Sequence, residues 1–125
     1  MTENELATIV IREAIEIHKS LGPGLLEKVY VECLSYRLTK CGLKVIREQP
    51  VPVIFEEVRM DCGYRADLIV EGKLLIEAKS IEAISEVHKS ITLTYLKFSK
   101  CKLGLLMNFN VVLLKDGIKR IVNGL

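Results

Sequence analysis

Tyr64-Arg65-Ala66-Asp67-Leu68-Ile69-Val70-Glu71-Gly72-Lys73-Leu74-Leu75-Ile76-Glu77-Ala78-Lys79 holds two apolar runs on either side of Glu71-Gly72-Lys73. With those three residues as a loop, and Gly72 supplying the positive φ that such loops need, Val70 pairs with Leu74 and Asp67 falls directly opposite Glu77. Strand alternation then fixes the faces. Arg65, Asp67 and Ile69 share one with Leu75, Glu77 and Lys79; Tyr64, Ala66, Leu68 and Val70 share the other with Leu74, Ile76 and Ala78. The second face reads as wholly buried, and the first as polar only at one end. Opposed residues of an antiparallel pair have Cβ atoms about 4.5–5.5 Å apart, where like charges cost a few tenths of a kcal/mol or more. Something should neutralise them. A hard divalent cation does so with one or two carboxylates, waters and phosphate oxygens. Lys79, two residues beyond Glu77 on the same face, would hold or activate an attacking water or offset phosphate charge. An exposed hairpin end with ordinary salt bridges from Arg65 and Lys79 is the competing reading.

Upstream, Thr2 and Glu5 form a capping-box pattern, and Leu6, Ile9, Val10, Ala14, Ile17 and Leu21 recur at helical spacing, predicting a helix over about 3–20. Gly22-Pro23-Gly24 ends it. Leu26, Val29, Tyr30, Cys33, Leu34, Leu38 and Cys41 trace a second helix that stops at Gly42 and packs on the first as a hairpin. From Lys44 to Lys79 alternating and β-branched residues predict three or four strands, with Pro50 and Pro52 at an edge or bulge and Glu56-Glu57 in a turn. Ser85 to Lys100 is a third helix with Val87, Ile91, Tyr95 and Phe98 on one face. Leu103 to Phe109 has the length of a buried strand. Val111 to Leu114, Asp116-Gly117 and Ile118 to Val122 read as a closing hairpin with a type I′ turn.

At 125 residues, half of them apolar, the chain builds one core, and residues 1–125 read as a single α/β (α+β) domain. It has no run of about eighteen uncharged apolar residues, so no membrane partner is expected. The acidic start Met1-Thr2-Glu3-Asn4-Glu5 does not resemble a signal peptide, which points to the cytoplasm. Cys33, Cys41, Cys62 and Cys101 are scattered without a C-x-x-C pair and read as reduced core thiols. The net charge of +2 is unevenly spread: residues 1–86 carry 11 Lys/Arg against 15 Asp/Glu, a balance of −4, and residues 87–125 carry 7 against 1, a balance of +6. A basic third beside an acidic middle suits an enzyme that grips phosphates with one part and cations with the other; a solvated lysine-rich face is the plainer alternative.

Asp67 followed by Glu77-Ala78-Lys79 resembles the D…(D/E)-x-K signature of the PD-(D/E)XK nuclease superfamily. Gly24-Leu25-Leu26-Glu27-Lys28-Val29-Tyr30 is similar to the G-x-x-E-x-x-Y motif of its GxxExxY family. Ile17 to Pro23, Asn108-Phe109-Asn110 and Lys115 to Asn123 fit that family too, so the similarity spans nearly the whole chain. It implies a restriction-endonuclease-like mixed β-sheet flanked by helices, preceded by the N-terminal helical hairpin. It also implies a catalytic set of Glu27, Asp67, Glu77 and Lys79. Mg2+, or Mn2+ as a substitute, would be held by Glu27, Asp67, Glu77 and the backbone carbonyl of Ala78. Read without the family, Glu27 is simply a glutamate at a helix N-terminus. The resemblance departs at Ile91, four residues before Tyr95, where a glutamine is expected. An apolar side chain there removes a donor for substrate or metal-bound water, which separates metal binding from turnover. His18, His88, Tyr30 and Tyr95 read as structural, the histidines hydrogen-bonded and the tyrosines packed with the hydroxyl at a polar edge.

The function expected is therefore metal-dependent hydrolysis of nucleic-acid phosphodiester bonds, with DNA favoured over RNA by the resemblance. Its rival is a catalytically weak or inactive nuclease-like protein that binds nucleic acid or a protein partner. Single strands, duplexes and junctions all stay open as ligands. So small a domain has little surface for a duplex, which leaves room for a homodimer or a partner subunit.

Overall fold

Thr2 caps the first helix as its sequence predicts: the Glu5 N–H donates to the Thr2 hydroxyl, and the Thr2 N–H donates to the Glu5 carboxylate. In the computed structural model, which describes residues 1–125, α1 spans Glu3–Leu21 and α2 spans Glu27–Lys40. The two pack as a hairpin. Buried Glu13 on α1 accepts from Arg37 of α2 at 2.8 Å and from neighbouring Arg12 at 3.2 Å. No helix is long and apolar enough to cross a membrane.

The strands are β1 (Val45–Pro50), β2 (Val53–Phe55), β3 (Val58–Met60), β4 (Arg65–Val70), β5 (Leu74–Lys79), β6 (Leu103–Asn108) and β7 (Ile118–Val122). Five of them form one mixed sheet in the order β1-β4-β5-β6-β7, and β2-β3 form a separate hairpin. Only β5 and β6 run parallel, joined by a crossover through α3 (Glu86–Ser99) as a parallel pair requires. The architecture is α+β, a mixed sheet flanked by three helices. Helices α1 and α2 cover one sheet face over the larger core, which takes in Leu6, Tyr30, Leu34, Leu68, Ile76 and Phe109. Helix α3 covers the other over a smaller cluster that includes Ile69, Leu75 and Leu96.

The sequence expectations are corrected at five places. Five strands, not three or four, precede Ser80, because the turn at Glu56-Glu57 folds a short ribbon back on itself. Val111 to Leu114 forms no strand; bends and a 3-10 turn over Leu114–Gly117 connect β6 to β7, which pairs with β6 directly. Ile118–Val122 pairs with β6 along one edge and leaves its other edge free at the end of the sheet, so the expected hairpin with Val111 to Leu114 does not form. On α3 the buried residues are Thr92 and Leu96, while Val87 and Ile91 are exposed. Gly104 explains this: a Cβ there would lie 3.1 Å from Leu96 Cδ2 and 3.4 Å from Thr92 Cγ2, so its missing side chain sets which helix face seats on β6. Tyr64 is 47% exposed rather than buried with Ala66 and Leu68, since it precedes β4 and lies outside the sheet. All four cysteines are free, but Cys41 and Cys62 are exposed and only Cys101 is fully buried. The loop Glu71-Gly72-Lys73 and the Val70↔Leu74 pair are as expected, with Glu71 as well as Gly72 at positive φ.

Candidate active site

The ladder between β4 and β5 stops at Leu68↔Ile76. One rung further stand Asp67 and Glu77, and there the expected face-to-face pair is modified. The strands part, and each side chain takes a backbone donor that the ladder no longer uses: the Asp67 N–H donates to Glu77 Oε1 at 3.1 Å, and the Ala78 N–H donates to Asp67 Oδ2 at 2.8 Å. On its other flank Asp67 also lacks a rung. The β1–β4 ladder passes from Arg47↔Leu68 to Gln49↔Ala66, and the intervening Glu48 has φ +50. Meanwhile β5 stays paired with β6 as far as Lys79↔Asn108. Two well-held strands therefore open a gap at one end of the sheet, and its walls are carboxylates.

Burial dominates the electrostatics of the gap. Glu77 is 6% exposed, and desolvation, with the charge of Asp67 beside it, pushes its carboxyl up to about 8. Burial also raises the Asp67 carboxyl; the Ala78 N–H and the Lys79 ammonium oppose that shift, and Glu27 reinforces it. Lys79 is half-buried and forms no ion pair.

Glu27 is the first residue of α2, and its Oε2 accepts from the Ser80 N–H at 3.2 Å, tying the helix to the end of β5. Leu26 offers no side-chain cap, so Glu27 at the positive end of the helix dipole is the local anion. Its position is secured by Tyr30 one turn on, whose hydroxyl donates to Gly22 O at 2.6 Å and accepts from the Leu25 N–H at 3.1 Å. The Tyr30 ring stacks on Phe109 at 4.3 Å between centroids. The Phe109 N–H donates to Lys79 O at 2.8 Å, and its own carbonyl meets His18 Nε2 at 3.0 Å. Glu27, Asp67, Glu77 and Lys79 are thus brought to one end of the sheet by α2, β4 and β5.

The donors fit a divalent cation. They are hard oxygen ligands, burial and their mutual repulsion raise the Glu77 carboxyl, and the Ala78 carbonyl shares the side on which its N–H meets Asp67. No three His, Cys, Asp or Glu side chains close into a ready-made cage, so a cation held there would complete its coordination with waters or other oxygens. Of the two histidines, His18 is buried against Phe109 and His88 accepts from the Ser85 N–H at 2.9 Å in the α3 capping box, so each has a hydrogen-bond partner within the fold.

Asn108, noted in the sequence only as part of the resemblance, has a role that sequence reasoning did not foresee. It is 2% exposed; its Oδ1 accepts from the N–H groups of Ile81 and Asn110, each at 3.1 Å, and its Nδ2 donates to Ile81 O at 3.0 Å. It clamps the segment that leaves β5 just after Lys79. A polar residue ending the apolar run Leu103 to Met107 was the available signal. Tyr95 also stands closer to the site than core packing implies: it packs on the cluster containing Ala66, Ile69 and Leu75, its ring is 6.0 Å from that of Tyr64, and burial together with the Glu77 charge raises its phenol.

Compared with known proteins, the chain matches the model of one family over residues 4–121, PDDEXK_3, described as PD-(D/E)XK nuclease superfamily. No curated protein and no solved structure matches it.

Proposed function

The chain belongs to the PD-(D/E)XK nuclease superfamily, and from that premise we propose that it is a magnesium-dependent nuclease that hydrolyses phosphodiester bonds in nucleic acid, DNA before RNA. Residues 1–125 act as one nuclease unit in this reading, and the Gly24 to Tyr30 motif supports assignment to the GxxExxY group. The observation that carries the proposal is the buried Asp67–Glu77 pair at the parted strand ends, each carboxylate accepting from a backbone N–H of the other's strand. Asp67, Glu77 and the Ala78 carbonyl would hold the metal, with Glu27 completing the acidic group. Bound there, magnesium, or manganese in its stead, supplies charge neutralisation, a polarised phosphate and a more acidic water. Lys79, unpaired beside the carboxylates, orients or deprotonates the attacking water and offsets charge on the phosphate. Four free cysteines, two of them exposed, support a reducing compartment such as the cytoplasm.

A second reading rests on Ile91, 45% exposed on the α3 flank beside Tyr95 where a glutamine donor was expected. In that reading the protein binds nucleic acid, with or without metal, or a protein partner, with slow or no turnover. Titration calorimetry with magnesium or manganese on the native protein, Asp67→Ala and Glu77→Ala, with nuclease assays on the same samples, separates the two. Metal binding lost in both variants together with metal-dependent cleavage by the native protein supports the enzyme. Binding without cleavage supports the second reading. No metal binding by the native protein, with or without DNA, overturns the enzyme and leaves the second reading.

A further inference from the structure

Val87, Ile91 and Tyr95 recur every fourth residue along α3 and so line one flank of it. Val87 and Ile91 are 66% and 45% exposed, and they are the exposed large apolar residues of that helix. Its charged residues Glu86, Lys89 and Lys97 project in other directions. Tyr64 extends the flank from the start of β4, 47% exposed, with its ring 6.0 Å from that of Tyr95 and tilted by 55°. Val87, Ile91 and Tyr64 thus leave an exposed apolar and aromatic shelf, and half-buried Tyr95 joins it to the cluster of Ala66, Ile69 and Leu75, near Asp67 and Glu77 on β4 and β5.

We propose that this shelf is a base-stacking subsite, in which Tyr64, Tyr95 and Ile91 receive an unpaired nucleobase next to the phosphate held at the carboxylates, making single-stranded or frayed nucleic acid the preferred substrate. The inference rests on the nuclease reading above and names its substrate class. A phosphate at the parted ends of β4 and β5 carries a nucleoside on each side, so the surface beside it meets a sugar and a base. In a duplex the faces of that base are taken by its neighbours; in a single strand they are free, and aromatic side chains bind them with little regard for sequence. The shelf also gives Ile91 a use: an apolar side chain widens the platform where a glutamine would place a polar amide.

The test is fluorescence titration of the full-length chain with a single-stranded oligonucleotide carrying one 2-aminopurine, and with the duplex of the same sequence, in calcium so that neither is cut. The expected result is quenching of the 2-aminopurine on binding, an affinity for the single strand about tenfold or more above that for the duplex, and a loss of about tenfold in Tyr64→Ala. Tyr64→Phe, which keeps the ring, binds as the native chain does. Tyr64 is half-exposed, so its removal leaves the core intact. Equal or tighter binding of the duplex, or undiminished binding by Tyr64→Ala, overturns the subsite while the nuclease reading stands. Failure of the native chain to bind either oligonucleotide overturns both. A dimer seen by sedimentation without oligonucleotide, and lost in Tyr64→Ala, assigns the shelf to a second copy and overturns the subsite.

Discussion

Glu77 gains protons on folding, and that has a direction in pH. Its carboxyl rises from an ordinary 4.5 to about 8 in the fold, so the folded state binds the proton more tightly than the unfolded one. The stability this contributes is complete below the ordinary value and is lost as pH rises through about 8. In chelator, the melting temperature is therefore expected to fall between pH 5 and 8.5, and Glu77→Gln is expected to flatten that fall; a native profile that rises or stays level over the range contradicts the assignment. A cation competes with the same proton, so metal affinity is expected to increase with pH and binding to release protons, measured by calorimetry in buffers of different ionisation enthalpy. Lys79 separates holding from turning over. Because its ammonium bonds no carboxylate, Lys79→Ala is expected to leave magnesium affinity within a few fold while lowering the cleavage rate about a hundredfold or more, as loss of a positioned proton-transfer group does. At this scale strand alternation and the Val70↔Leu74 register placed Asp67, Glu77 and Lys79 on one face at one end of the hairpin, and the resemblance was what set that cluster above an ordinary exposed hairpin end. Glu27 was legible only through resemblance, because nothing in a helix N-terminus says which strand end it will face.

Helix α2 starts where it does because Tyr30 ties the turn Gly22–Leu25 to its own first turn. Tyr30→Phe keeps the stack on Phe109 but orphans a carbonyl and an N–H, which is expected to cost about 1–3 kcal/mol in denaturant unfolding. Because that turn also sets the position of Glu27, metal affinity should weaken in the same variant; unchanged affinity would mean that the helix start is fixed by something other than the tyrosine. The connection from β6 to β7 has its own pivot. A Cβ at Gly117 would lie 2.2 Å from Asn108 O, so Gly117→Ala is expected to destabilise the fold by about 1–3 kcal/mol and to disturb the Asn108 clamp behind Lys79. Sequence periodicity located α1, α2 and the buried strand Leu103–Asn108 well, because in each the local pattern and the burial coincide. It misread Val111 to Leu114, where Val112 is 89% and Leu113 54% exposed: four apolar residues look like a strand, but the segment is taken up by the bends and the 3-10 turn over Leu114–Gly117 that carry the chain from β6 straight into β7. It misjudged α3 because the seating of Thr92 and Leu96 is decided by Gly104 on another element.

For the whole molecule the charge asymmetry acquires a place. Lys115, Lys119 and Arg120, with Lys89 of α3, line a groove floored by Ile11, Ile118 and Ile121 along the edge strand β7. Glu77, Leu106 and Lys119 lie on one rung of the sheet, so Lys119 stands on the α3 face two strands from Glu77, about 10 Å away at the usual strand spacing. Lysines on an edge strand also discourage edge-to-edge pairing, and that alone would account for them. The two roles differ in what salt does. If the groove carries the sugar-phosphate backbone away from the carboxylates, each lysine removed deletes one phosphate contact, and the slope of log affinity against log salt for a single strand should shrink by about 0.7 per lysine. Lys115→Gln with Lys119→Gln is accordingly expected to weaken oligonucleotide binding at low salt and to flatten the slope by about 1.4, while magnesium affinity at Asp67 and Glu77 stays as it was. An unchanged slope, with the double variant aggregating more readily, would return these lysines to guarding the edge.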